Sequence, residues 1–438
     1  MSEAAQDSTP FHDLSRYVAL PRLSGLAVSP DGTRLVTSVA TLSPDTKKYL
    51  TALWEIDPDG HRPARRLTRS AAGESQPAFL PDGSLLFTST RPDAESTEDK
   101  TDVPGLWVLP SGGGEARQVA ARPGGIGALR VARDSGEVVF GSSVLPGART
   151  AEEDEAARKA RTDAGVTAIL HERYPVRFWD HDLGPAENHL FAGGPLPADT
   201  GRLGGEDGPR DLTPQPDGRV EIDDGLAVSP DGSTVALSWS VNEGNTLRRS
   251  TIVLIDTATA EQRTLVAAPG VEFFNPAFLG DGRSLVCLSA RMSNYDEPPD
   301  WTLWLVDSSS GDGRDLLPDL DLWPNDAVPA PDGSAVYFTA DELGHCPVFR
   351  LDLGAGGAPG TVTRLTASGA YTNVTASPDG SAVYALRSGI DSPPTPVRLD
   401  PHTADQEPAT LQSPADVGAL PGRVTHEHTT APDGTALH

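Results

Sequence analysis

The chain has 438 residues, of which 44 are glycine and 40 proline, so a mostly helical protein is excluded and a fold rich in tight turns is favoured. Its 35 basic and 62 acidic residues give a formal charge of −27, which repels phosphate backbones and anionic lipid; neither nucleic acid nor membrane is an expected partner. Cys287 and Cys346 are too few for a disulfide framework, and Cys287, inside Leu285-Val286-Cys287-Leu288, reads as a buried strand thiol.

In chain order, Met1-Ser2-Glu3-Ala4-Ala5-Gln6-Asp7 carries neither the basic nor the apolar stretch of a secretory signal. No apolar run reaches the ~20 residues of a membrane span, so a soluble, cytoplasmic protein is expected. Residues 1–20 read as an amino-terminal segment. A turn pattern then recurs: Pro30-Asp31-Gly32, Pro81-Asp82-Gly83, Pro230-Asp231-Gly232, Pro331-Asp332-Gly333 and Pro378-Asp379-Gly380. Arg133-Asp134-Ser135-Gly136 and Gly280-Asp281-Gly282 are degenerate copies. The spacings are 51, 53, 96, 50, 51 and 47 residues, a period that indicates a propeller or solenoid array.

Each copy joins two apolar runs. Gly25-Leu26-Ala27-Val28-Ser29 precedes the first, and Ser334-Ala335-Val336-Tyr337-Phe338-Thr339 follows a later one. That is a β-hairpin signature: proline presets φ, aspartate accepts backbone hydrogen bonds and glycine supplies positive φ. About 20 residues later comes a third strand, such as Leu53-Trp54-Glu55-Ile56-Asp57 or Leu303-Trp304-Leu305-Val306-Asp307. A closing strand follows, as at Arg66-Leu67-Thr68, Arg210-Asp211-Leu212-Thr213 or Arg314-Asp315-Leu316. Four short strands per repeat make a propeller blade, and seven turns make seven blades. The predicted fold is all-β: a seven-bladed β-propeller over residues 21–420. Trp54, Trp107, Trp239 and Trp304 fall inside repeat strands and are expected to pack between blades.

The 96-residue gap holds one blade plus an insertion at about 148–185, with a looser part near 195–208. The insertion carries a helix over Ala151–Arg161, acids first and bases last, in accord with the helix dipole. Asp154–Arg158 and Glu155–Lys159 are the predicted i,i+4 pairs. Residues 396–413 read as the final outer strands, and the amino-terminal segment is a candidate to join a blade.

The hairpin–strand–strand repeat, with its Ser-Pro-Asp-Gly tips, resembles the propeller of the prolyl oligopeptidase family of serine peptidases, in particular its acylaminoacyl-peptidase and dipeptidyl-peptidase-like bacterial branch. The resemblance covers roughly residues 15–425. Its most specific stretch is Tyr174-Pro175-Val176-Arg177-Phe178-Trp179-Asp180-His181-Asp182-Leu183-Gly184-Pro185. Residues 421–438, with Arg423-Val424-Thr425-His426 leading to Ala431-Pro432-Asp433-Gly434, look like the first hairpin of that family's α/β-hydrolase domain.

The resemblance implies a propeller that gates access of short peptides to a hydrolase half, whose Gly-x-Ser-x-Gly serine, aspartate and histidine would lie beyond His438. The motif is absent from these residues; Ser143, in Gly141-Ser142-Ser143-Val144-Leu145, lacks the second glycine. The chain alone is therefore expected to be inactive. The resemblance also implies that acids on the insertion hold a substrate's free amino group, since a desolvated ammonium needs a carboxylate. Glu152, Glu153, Glu155 and Glu172 are available. Glu172, Arg173 and Tyr174 are the stronger candidates for substrate binding, followed by Arg177 and Trp179.

No cofactor is expected. His426-x-His428 lacks a third metal ligand and reads as a polar hairpin. His181, between Asp180 and Asp182, has no nucleophile beside it. Asp57-Pro58-Asp59-Gly60 lacks the spacing of a calcium loop and reads as a turn. The helical insertion is a candidate contact for a homo-oligomer. The rival reading is a free-standing β-propeller that binds a protein or peptide; a lactonase-like propeller with calcium in its channel is a weaker one.

Overall fold

The computed structural model describes residues 13–93, 102–171, 175–197, 201–205, 207–214, 219–220, 225–243, 248–415, 417 and 424–437. The predicted repeat is present as seven antiparallel sheets, a seven-bladed β-propeller. Blade 1 consists of Arg22–Val28, Leu35–Leu42, Tyr49–Ile56 and Arg65–Arg66, hydrogen-bonded in that order. The other six repeat this meander, each from one stretch of the chain; in blade 3 the connection between second and third strands is enlarged and carries a separate two-stranded hairpin. In blade 4 the extra strand Arg219–Val220 pairs beside Leu226–Val228 on Thr234–Asn242. In blade 7 the third strand is Ser392–Leu399 and the outer one Ala409–Thr410, so the expectation over 396–413 began one strand edge late.

By compactness the chain divides into two units. Met1–Ser75 with Asp319–His438 holds blades 1, 6 and 7, and Gln76–Pro318 holds blades 3 to 5 and all of blade 2 but its first residue. Within each unit the core is a series of seams between neighbouring sheets. Leu86, Leu106, Val138 and Phe140 fill the seam of blades 2 and 3, and Val139, Leu190, Leu237 and Val253 that of blades 3 and 4. Tyr337, Val348, Val383 and Val397 fill the seam of blades 6 and 7. A second strand is thus covered on both faces, which explains why Leu285-Val286-Cys287-Leu288 is continuously apolar where a one-sided strand would alternate. Burial pushes the Cys287 thiol up to about 12, an inert core sulfur. Trp107 and Trp239 are buried and Trp54 and Trp304 half-buried against these seams.

In the described residues the amino-terminal segment adds no strand; Leu14–Val18 forms a short helix, α1, capped by Asp13. Blade 7 meets blade 1 through side chains instead. Leu35 and Ile56 pack against Ala382, Tyr384 and Leu411, and the Gly25 amide donates to Asn373 Oδ1 at 3.4 Å.

The recurring turn has a definite chemistry. Ser29 Oγ donates to Asp31 Oδ1 at 2.5 Å, the Thr33 amide donates to the same oxygen at 3.0 Å, and Gly32 takes φ +71°. The set recurs at Ser229–Asp231–Ser233 and Ser377–Asp379–Ser381. A second repeated device sits after the third strand. Asp307 Oδ1 accepts the amides of Ser309 and Ser310, each at 2.9 Å, and Asp57 Oδ2 accepts those of His61 and Arg62, each at 2.9 Å. Asp57-Pro58-Asp59-Gly60 is thus a turn.

These bonds stabilise the carboxylates. The hydroxyl of Ser377, with the Ser381 amide and hydroxyl, holds Asp379 at about 2, and the Ser309 hydroxyl with two amides holds Asp307 at about 2. Unfolded aspartate titrates near 3.9. The folded pKa is depressed, so this stabilisation is complete above about pH 4 and disappears as the pH falls through about 2. Thermal melts are expected to drop steeply over that window, and Asp379→Asn to give a shallower drop. An unchanged slope in the variant would contradict the assignment.

Candidate functional site

The insertion leaves blade 3 after its second strand, Glu137–Val144, and the chain returns as the third strand, Glu187–Pro195. Its helix α2 spans Ala151–Asp163, two residues longer than the sequence predicts. Thr150 caps it: its side chain accepts the Glu153 amide at 3.2 Å, while Glu153 Oε2 accepts the Arg149 amide at 2.8 Å. Glu153 is therefore engaged in capping.

Asp154 is fully buried in the described structure. It accepts the Leu145 amide at 2.8 Å and Arg158 Nε at 3.0 Å. Arg158 Nη2 reaches on to the Ser143 carbonyl at 2.9 Å. The expected i,i+4 pair thus forms, but as an anchor of α2 on blade 3 and not as a solvated pair. Lys159 pairs with Asp163 at 2.7 Å in place of Glu155, because Asp163 lies on the same helix stripe one turn toward the C-terminus. Ser143 is held by the same anchor: its hydroxyl donates to the Gly124 carbonyl at 3.1 Å, a structural role and not that of an activated nucleophile.

Past α2 the chain forms a two-rung hairpin, Arg177–Phe178 with His181–Asp182. Arg177 Nη1 pairs with Asp182 Oδ1 at 2.8 Å across it, and His181 Nδ1 contacts Asp180 Oδ1 at 2.7 Å. Trp179 stands at the turn with 99% of its surface exposed. Of the predicted substrate-binding residues the structure thus brings Arg177 and Trp179 onto one hairpin; Glu172, Arg173 and Tyr174 lie outside the described residues. Glu152 and Glu155 are solvent-exposed on α2.

Two features were not visible in the sequence. His189 and Asp211, 22 residues apart, meet on the third and outer strands of blade 3 with Nδ1 to Oδ2 at 2.7 Å. His345, in the second-to-third-strand connection of blade 6, lies 5.2 Å from the ring of His426. Thr429–Thr430 and Ala436–Leu437 then form the expected carboxyl-terminal hairpin, its Asp433 accepting the Thr435 amide at 3.0 Å. No group of three or more metal-ligating side chains is present among the described residues. None of their helices is long and apolar enough to cross a membrane.

No protein-family model matches the chain. A dipeptidyl-peptidase 5 from Porphyromonas gingivalis is 23% identical over 412 residues, covering 92% of this chain and 56% of its own length. An acylaminoacyl peptidase, solved with Z-Gly-Gly-Phe-chloromethyl ketone, superposes with a TM-score of 0.64 at 13% identity, over 92% of this chain and 54% of its own. The β-propeller domain of the Trilobed protease from Pyrococcus furiosus, described as having an open velcro topology, superposes with a TM-score of 0.58 at 11% identity, over 90% of this chain and 98% of its own. The chain spans about half the length of the dipeptidyl-peptidase 5 and of the acylaminoacyl peptidase. Its antiparallel, mostly four-stranded blades, its Ser-Pro-Asp-Gly tips and these likenesses agree: the chain is a seven-bladed β-propeller of the kind found in prolyl oligopeptidase-family peptidases.

Proposed function

We propose that the chain is the substrate-gating propeller of a cytoplasmic prolyl oligopeptidase-family serine peptidase, acting on short peptides in aminopeptidase or acylaminoacyl-peptidase mode. The observation that carries this reading is the alignment of nearly the whole chain with about half of two peptidases. The hairpin at Thr429–Thr430 and Ala436–Leu437 supports it as the entry to an α/β-hydrolase domain beyond His438. That domain would supply the serine that takes the acyl group, the histidine that removes its proton and the aspartate that orients the histidine.

This chain's own work is selection and positioning. Folded proteins are excluded by the lid, and short peptides are met by the exposed face of Trp179 and by Arg177 on the same hairpin; Glu172, Arg173 and Tyr174 are the further candidates from the sequence. A carboxylate such as Glu172 would pair with a peptide ammonium, and the Arg177 guanidinium, fixed by Asp182, would meet a carbonyl or carboxylate.

The test compares residues 1–438 with the intact gene product on dipeptidyl and acylaminoacyl chromogenic substrates. Residues 1–438 are expected to give no turnover above the blank and the intact product clear turnover. Trp179→Ala in the intact product is expected to raise KM by about fivefold, the loss of one exposed aromatic contact, with an unchanged melting temperature. Turnover by residues 1–438, or a variant indistinguishable in KM, would contradict the reading.

A further inference from the structure

A second site lies in the unit formed by Gln76–Pro318. A pocket of about 500 Å³ opens between the outer strand of blade 2, Arg117–Ala120, the outer strand of blade 3, Arg210–Asp211, and the amino-terminal end of α2. Its remaining wall comes from the described residues of 201–205 and 207–209, with Asp93 beside them. That wall is fastened: the Leu203 amide donates to the Val119 carbonyl at 2.9 Å, the Gly204 amide to the Gly193 carbonyl at 2.9 Å, and Arg117 Nη1 to the Gly201 carbonyl at 2.6 Å. The cavity is therefore preformed, and its size is that of a small-molecule site.

Its lining is charged with both signs, three arginines and four carboxylates. Arg122 is the unusual member. Its guanidinium lies 3.7 Å over the ring of Phe191, and its Nε is buried with no hydrogen-bond partner among the described residues. Phe191 in turn stacks on Phe140 at 5.6 Å, so the arginine is held in plane by an aromatic ladder rooted in blade 3. Arg149 and Arg202 line the same cavity from exposed positions, and neither side chain has an ion pair among the described residues. Arg122 feels the carboxylates of Asp211, Asp154 and Glu152 but forms no ion pair with them among the described residues, so three guanidinium groups around one cavity leave room for the carboxylate of a guest. Asp211, fixed by His189, and Asp207 stand on the same lining, so a plain anion would also meet repulsion there.

We propose that this pocket binds a small zwitterion of the amino-acid or short-peptide class, its carboxylate held by Arg122, Arg149 and Arg202 and its ammonium facing Asp207 and Asp211. A ligand with both charges satisfies both halves of the lining, whereas an anion or a cation satisfies only one. The site shares no residue with the Trp179 hairpin, and it stands whether or not the chain serves a peptidase.

The probe is the dipeptide alanyl-alanine, titrated calorimetrically into the protein at 0.15 M salt, beside its N-acetyl and carboxamide forms. The free dipeptide is expected to bind saturably at one site. Removing either charge is expected to weaken binding by about tenfold or more, the scale of one lost charge-assisted hydrogen-bond set. Arg122→Gln is expected to abolish binding. Arg149→Ala, at an exposed side chain, is expected to weaken it by about fivefold at an unchanged melting temperature. Absence of saturable binding, an N-acetyl form that binds as well as the free dipeptide, or an Arg149→Ala protein of unaltered affinity would each overturn the proposal.

Discussion

Replacing Gly124 with alanine is expected to lower stability by about 3 kcal/mol, the upper part of the range for overpacking a well-filled site. A Cβ at this position would sit 1.8 Å from the Ser143 carbonyl oxygen and 2.6 Å from Ser143 Oγ. Neither neighbour can step aside cheaply. The hydroxyl donates to the Gly124 carbonyl at 3.1 Å, and the Ser143 carbonyl accepts from Arg158 Nη2 at 2.9 Å. Arg158 is itself the partner of buried Asp154, so relief of the clash would loosen α2 from blade 3. Gly112→Ala is the control, because no atom lies within 4 Å of a Cβ there. Its effect is expected within about 0.5 kcal/mol. Denaturant unfolding of the two variants checks this; equal costs would contradict the close approach.

Leu35→Ala is expected to cost about 3 kcal/mol, the middle of the range for a buried leucine reduced to alanine. Leu35 is fully buried where blade 1 meets blade 7, packed with Ile56, Ala382, Tyr384 and Leu411. Among the described residues no strand is exchanged across this junction, so side chains carry it. The variant is therefore expected to lose amide protection first in Arg22–Val28 and Ala370–Ala376, the inner strands that face each other there. Leu237→Ala, equally buried between blades 3 and 4, is expected to cost a similar amount while leaving those two strands protected. Hydrogen exchange distinguishes the two; uniform loss of protection in both variants would contradict a seam held by side chains.

The propeller was readable because its determinants are local. Ser-Pro-Asp-Gly binds itself: hydroxyl to carboxylate to amide within five residues, as at Ser29–Thr33. The aspartate that ends many third strands works the same way at Asp57 and Asp307. The seam-filling second strands announced themselves by unbroken apolar runs. What escaped the sequence was set across long separations. The inner strands carry bulges at Gly25, Asn275 and Asn373, with φ of +70°, +51° and +53°, and no turn motif marks them. Asn373 binds Gly25 across 348 residues. The burial of Asp154 could not be foreseen either, since helical spacing pairs it with Arg158 but does not reveal the Leu145 amide beneath it. Of the substrate-binding candidates, Arg177 and Trp179 share a hairpin because a two-residue turn separates Phe178 from His181. The Arg122 pocket gathers residues from two outer strands, a loop and a helix end, a juxtaposition that only the fold creates.

The most direct test of the gating-propeller account is to label the intact gene product with a fluorophosphonate, which reacts with activated serines, and to map the modified residue by mass spectrometry. The account predicts a single labelled serine beyond His438, within Gly-x-Ser-x-Gly. A label on Ser143 or any other serine of residues 1–438, or an intact product that takes no label, would contradict it.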